Sequence, residues 1–207
     1  MAMLNETIEE SFRLTRFRTH GAIDAIQVIE VLRKARVSFV LSGAIGLAGW
    51  MQKPQAETEL DFLVAQKDLE KAAQAVTNVL PRTKLVKTPL RWRLLDRQDK
   101  PGVINLIRPV MEPDRWVFAN AKTIQIDGQT CRIPSLEMAM AMKFGSIASI
   151  YRNEEGKLLD KYDLARMVSR NARRNEAKLS KLAARLFPGG ARLIRKVINQ
   201  VSQDSVV

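Results

Sequence analysis

Residues 37–64 read VSFVLSGAIGLAGWMQKPQAETELDFLV. Val37-Ser38-Phe39-Val40-Leu41 is short, apolar and rich in β-branched and aromatic residues, the composition of a buried strand. Ser42-Gly43 follows as a turn, and the small, apolar run Ala44 to Trp50 predicts a helix. Gly43, Gly46 and Gly49 recur every third residue, so one helical face is bare and can approach another backbone closely. A polar segment, Gln52 to Thr58, leads into Glu59-Leu60-Asp61-Phe62-Leu63-Val64, a second strand. Strand alternation puts Glu59 and Asp61 on one face and Leu60 and Phe62 on the other.

Upstream, two helices are predicted. One runs from a cap at Asn5 to Arg18. The other runs from about Ile23 to Arg36, where Ile23, Ile26, Ile29 and Leu32 form a stripe. Downstream, a helix at Lys67–Val79 precedes strands at 84–87, 91–95 and 103–107, with a turn over 96–102 before the last. Asp127-Gly128 joins 123–126 to 130–133 as a hairpin. Beyond Pro134 the pattern is helical: a helix capped by Ser135 and reaching about Arg152, then helices near 156–169, 175–186 and 192–201. The expected fold class is α+β, a mixed sheet core flanked by helices with a C-terminal helical bundle. The expected boundary separates residues 1–134 from a basic helical region, 135–207.

The chain has 207 residues, 46% of them hydrophobic, enough for a core in one domain with a small appendage. Its one cysteine, Cys131, forms no internal disulfide and no cysteine-based zinc site. With one histidine, His20, the expectation is neither a His-rich metal site nor a Ser-His-Asp triad, so carboxylates and lysines would have to carry any chemistry. No apolar run reaches the ~20 residues of a membrane span, and the acidic N-terminus lacks an apolar leader core. A cytoplasmic protein without a membrane partner is the expectation. The net charge is +12, and +8 of it falls between Lys143 and Val207, with 14 basic and six acidic residues. That excess suits a polyanion, and equally a solvated helical face.

A turn at a helix N-terminus offers N–H groups and a positive dipole end to phosphates. Two carboxylates on one strand face offer oxygen ligands to Mg²⁺, which takes one or two protein carboxylates and completes its shell with water and phosphate oxygens. Together these are the parts of a nucleotidyl-transfer site. Singly, each has a plainer reading: a solvated Glu-x-Asp, glycines that only pack, a Lys143 that snorkels beside Met138, Met142 and Phe144, an Asp160 that pairs with Lys157 or Lys161. Met138, Met140 and Met142 read as core; Trp50, Trp92 and Trp116 read as packing before base stacking.

The combination resembles the nucleotidyltransferase superfamily that includes DNA polymerase beta, and within it the AbiE-type toxin nucleotidyltransferases of bacterial toxin–antitoxin systems. The resemblance spans about residues 25–170. It implies that Ser42 and Gly43 cradle phosphates and that Glu59 and Asp61 hold the metal. Arg132-Ile133-Pro134-Ser135-Leu136-Glu137 followed by Lys143 is similar to the family's later helix, whose lysine holds the triphosphate. Lys157 to Leu164, with Asp160 and Asp163, is similar to the next, whose acids orient that lysine or assist catalysis. The sequence departs from the pattern at Gln55, where the family has a basic residue, at Glu59, where an Asp is usual, and at Asn105, where a third carboxylate often stands. The resemblance therefore implies transfer of a nucleoside monophosphate from an NTP, with Mg²⁺, to a hydroxyl of RNA, a tRNA end included, or of protein. Glu59, Asp61, Lys143 and Asp163 would be catalytic, and a cognate antitoxin would be a partner. The alternative is a catalytically degenerate module that binds nucleotide, RNA or a partner protein, because asparagine is neither an anionic ligand nor a base.

Overall fold

The computed structural model describes residues 2–96, 102–110 and 112–204. The chain divides into two compact units, Met1–Pro134 and Ser135–Val207.

The first unit is built on a five-stranded mixed sheet. Its strands are β1 (Phe39–Leu41), β2 (Glu59–Val64), β3 (Thr83–Lys87), β4 (Arg91–Asp96) and β5 (Val103–Ile107), in the order β1-β2-β5-β4-β3. Only β2 and β5 run parallel; the other pairings are antiparallel. One sheet face is apolar: Leu60, Phe62, Leu94, Ile104 and Leu106 are buried. Phe39 meets Phe62 edge-on, ring centroids 5.4 Å apart, a contact worth about 0.5–1.5 kcal/mol beyond burial. Against this core pack α1 (Ala2–Arg18), α2 (Ala25–Lys34), α3 (Gly43–Met51) and α4 (Leu69–Val79), with residues such as Ile8, Ile29, Ile45 and Val76. The hairpin β6 (Ala121–Ile126) and β7 (Gln129–Pro134) adds Ile124, Ile126 and Ile133. Gly49 lets α3 lie against α1: a Cβ there would come within 2.8 Å of the Leu4 carbonyl oxygen.

The second unit consists of α6 (Leu136–Ala148), α7 (Glu154–Arg170), α8 (Glu176–Leu186) and α9 (Gly190–Asp204). Met138, Met140, Phe144, Leu164, Met167, Leu179 and Ile194 are buried. Ser135 caps α6 through the Met138 N–H, and Asn175 caps α8 through the Lys178 N–H.

Several expected boundaries change. Asn5 lies inside α1, which already begins at Ala2, and caps nothing. The helix expected to reach Arg152 stops at Ala148, where Ser149 turns extended, and Asn153 caps α7 by accepting from the Gly156 N–H. A short helix that the sequence reading left out, α5 (Glu112–Ala119), precedes the hairpin, with Trp116 and Val117 buried. The turn expected over 96–102 falls mainly on 97–101, outside the described residues. No helix among the described residues is long and apolar enough to cross a membrane.

Candidate active site

Strand alternation decides which β2 side chains are free for chemistry. Leu60 and Phe62 go into the core, while Glu59 and Asp61 stand on the opposite face. The turn between β1 and α3 is tied to the same place. Leu41 pairs with Phe62, so the next residue, Ser42, sits beside Asp61: its N–H donates to the Asp61 carbonyl at 2.8 Å, and its hydroxyl reaches the same oxygen at 3.3 Å. The Ser42 side chain therefore does not cap α3, although Ser42 holds the N-cap position. Gly43 is required there twice over. Its φ is +63°, and a Cβ would lie 2.3 Å from Asp61 Oδ2.

The parallel partner strand supplies the centre of the site. Asp61 pairs with Asn105 in register, and Asn105 pairs in turn with Arg93 on β4. The Asn105 amide nitrogen donates to Glu59 Oε2 and to Asp61 Oδ1, both at 2.7 Å. Asn105 is fully buried, yet its Oδ1 has no hydrogen-bond partner, and neither does the buried Nε of Arg93. An Arg93 Nη approaches Glu59 Oε1 at 3.4 Å, with the Glu59 side chain 43% exposed. Burial pushes the Asp61 carboxyl above its ordinary pKa, and the Glu59 charge adds to this. The Asn105 hydrogen bond and the Arg91 and Arg93 charges pull the other way without cancelling it.

The sequence-predicted residues fall into two groups. Ser42, Gly43, Glu59 and Asp61 are brought together in the first unit. Lys143 is in the second, where its ammonium lies 2.7 Å from Asp160 Oδ1 and 2.7 Å from Asp163 Oδ2. Arg152 Nε takes the other Asp160 oxygen at 2.9 Å. Lys143 is thus not a snorkelling surface lysine: its side chain is 14% exposed. Asp160 does not pair with Lys157 either, which binds Glu154 instead. Sequence reasoning missed Arg91 and Arg93. The signal was their spacing, two apart in a predicted strand, the same alternation that groups Glu59 with Asp61.

Among the described residues, no three or more His, Cys, Asp or Glu side chains gather as a metal-binding group. The first unit nevertheless fits a hard divalent cation in its donor chemistry. Two carboxylates converge on one point, the oxygen chemistry such a cation takes; the Asn105 nitrogen holds that point, and the absence of a side chain at Gly43 lets Asp61 Oδ2 lie against the turn.

No protein-family model matches the sequence, and no curated protein matches it. Solved structures do. An antigenic nucleotidyltransferase-like protein from Paracoccidioides brasiliensis superposes with a TM-score of 0.52 at 12% identity, over 90% of this chain and 92% of the other. The lincosamide antibiotic adenylyltransferase LnuA, in its lincomycin-bound form, superposes with a TM-score of 0.50 at 14% identity, over 70% of this chain and 94% of the other. At such identities the likeness is one of architecture: the chain has a nucleotidyltransferase-like α+β fold.

Proposed function

We propose that the protein transfers a nucleoside monophosphate from a nucleoside triphosphate to a hydroxyl acceptor, with the chemistry in its first unit. One observation carries the reading: Glu59 and Asp61 converge on one point beside a glycine turn that opens a helix, within a nucleotidyltransferase-like fold. Ser42 directs its side chain to the Asp61 carbonyl, and so leaves the first N–H groups of α3 uncapped for phosphate oxygens. Arg91 and Arg93 lie near enough to Asp61 to act on its charge, and bring positive charge toward the triphosphate. Glu59 and Asp61 would hold Mg²⁺, which when bound supplies charge neutralisation at the α-phosphate. In the transfer, the acceptor oxygen bonds to the α-phosphorus and the bond from that phosphorus to the bridging oxygen breaks. Pyrophosphate leaves, and the hydroxyl proton is released. Asn105 takes no proton in this scheme.

Charge supports RNA as the acceptor. Arg170, Arg173, Lys181 and Arg185 are exposed on the second unit, a basic surface suited to RNA, tRNA ends included. A protein hydroxyl and an antitoxin-type partner belong to the same proposal through the AbiE-type resemblance. Lys143 and Asp163 enter it through that resemblance as the triphosphate-holding lysine and its orienting acid. Asn105 favours a second reading, a nucleotide-binding module without transfer, because its amide occupies both carboxylates.

The test is incubation with each α-phosphate-labelled NTP, Mg²⁺ and total RNA or protein extract. Label is expected on an acceptor with the wild type and none with Asp61→Ala. Equal labelling by the variant removes the site assignment. Magnesium-dependent NTP binding without transfer replaces the enzyme by the module.

A further inference from the structure

The Asn105 amide does in this fold what a cation does for a pair of carboxylates. Glu59 and Asp61 repel one another, and a single N–H₂ nitrogen placed 2.7 Å from an oxygen of each, with two hydrogens to donate, relieves that repulsion without adding a charge. The arrangement leaves Oδ1 buried and unpartnered, which is costly in an otherwise well-paired interior. The amide cannot relieve that by turning over, because an oxygen facing two carboxylates would be repelled. With a divalent cation between the acids the preference would reverse: an oxygen donor would suit that point and the N–H₂ group would not.

From this we infer that Asn105 is a stand-in for the divalent cation, one that keeps free cation out and yields its place only when cation and nucleoside triphosphate arrive together. The inference rests on the proposed reading of Glu59 and Asp61 as the cation-holding pair. A free cation must displace two short, charge-assisted hydrogen bonds and finds only two negative side chains, one of them near Arg93. A cation carrying a triphosphate brings its own anionic oxygens to complete the shell, and Arg91 and Arg93 receive the remaining phosphate charge. An aspartate at 105 would reverse the preference: three carboxylates repel in the absence of cation and bind it strongly when it comes.

The experiment follows Mn²⁺ by its electron-paramagnetic signal, with MnCl₂ titrated into the full chain alone and then with α,β-methylene-ATP. Wild-type protein is expected to take up Mn²⁺ at least tenfold more tightly with the nucleotide analogue than without it. Asn105→Asp is expected to bind Mn²⁺ alone at least tenfold more tightly than wild type. Tight binding of free Mn²⁺ by the wild type, unchanged by the analogue, overturns the inference, and this arm stands even if the variant does not fold. Equal Mn²⁺ affinity of wild type and a folded Asn105→Asp also overturns it. If the variant gains free Mn²⁺ but neither protein binds the analogue, the exclusion of free cation by Asn105 stands, its joint displacement by cation and triphosphate is overturned, and the proposed nucleotidyl transfer fails separately.

Discussion

Each unit of the molecule holds a pair of carboxylates, and the two pairs are satisfied in opposite ways. In the second unit Asp160 and Asp163 share the Lys143 ammonium, and Arg152 takes the remaining Asp160 oxygen, so two acids meet two bases. In the first unit Glu59 and Asp61 share a neutral amide, with Arg93 3.4 Å from Glu59 alone. The first arrangement is closed, and removing a member leaves a buried charge without its partner. The other is open: its charge is held in place but not neutralised. Buried carboxylates whose charge is disfavoured by burial and by a like-charged neighbour concentrate at functional sites. The contrast therefore separates a charge-balanced cluster from one whose charge is left unneutralised, the feature that the proposed cation and phosphate would answer.

The sharpest break of that contrast exchanges each buried acid for its amide. Asp61→Asn is expected to lower transfer by roughly a thousandfold, through loss of an anionic ligand worth several kcal/mol in the transition state. The same variant should keep or raise the melting temperature at neutral pH, because burial disfavours the charge it removes. Asp160→Asn should do the reverse to stability. Its side chain is 3% exposed and pairs with two bases, so the loss is expected at about 3 kcal/mol, read by chemical denaturation. Similar stability losses in the two variants would erase the distinction between the pairs.

Gly43→Ala probes the open pair by sterics alone. The methyl group would lie 2.3 Å from Asp61 Oδ2, on a backbone with φ of +63°. A destabilisation of about 1–3 kcal/mol is expected, with transfer reduced more than stability because the displaced group is Asp61 itself. Unchanged activity in a destabilised Gly43→Ala would mean that the turn is structural and that Asp61 does not act through it.

The open pair was half legible in the sequence. Alternation alone places Glu59 beside Asp61 on one face and turns Leu60 and Phe62 away, because a strand has only two sides. The strand holding Asn105 was also readable. That Asn105 lands opposite Asp61 was not, since register between two strands separated by about forty residues is set by tertiary packing. Arg91 and Arg93 were lost for the same reason: their strand was predicted, but its place beside β5 depends on the sheet order. The closed pair was implied by the family resemblance, while the helix boundary between Lys143 and its acids was misplaced. Ile147 to Tyr151 continues the apolar pattern, and this masked the start signal Asn153-Glu154-Glu155, a cap followed by acids in the first turn. From the residues alone Asp160 has only Lys157 or Lys161 on its own helix for partners; its link to Lys143 was implied by the family resemblance, and the ion pairs lie there. The eight-residue α5 gave too short a period to register.

The smallest expected effect concerns pH and belongs to the closed pair. Burial pulls the Lys143 pKa down, but the hydrogen bonds and charges of Asp160 and Asp163 outweigh it and leave the group above its ordinary value. A lysine that binds its proton more tightly folded than unfolded stabilises the fold wherever both states are protonated, below the unfolded value of about 10.4. That contribution is lost as pH rises through the folded value, because the unfolded chain then gives up the proton first. Melting temperatures taken from about pH 9 upward should fall more steeply for wild type than for Lys143→Met, whose cluster has no ammonium to titrate. Other lysines and tyrosines titrate in both proteins and cancel in the difference. Parallel curves would mean that the ammonium is not held by its two acids in solution. The closed pair would then have a base free to meet another anion, and the contrast between the two units would lose its physical ground.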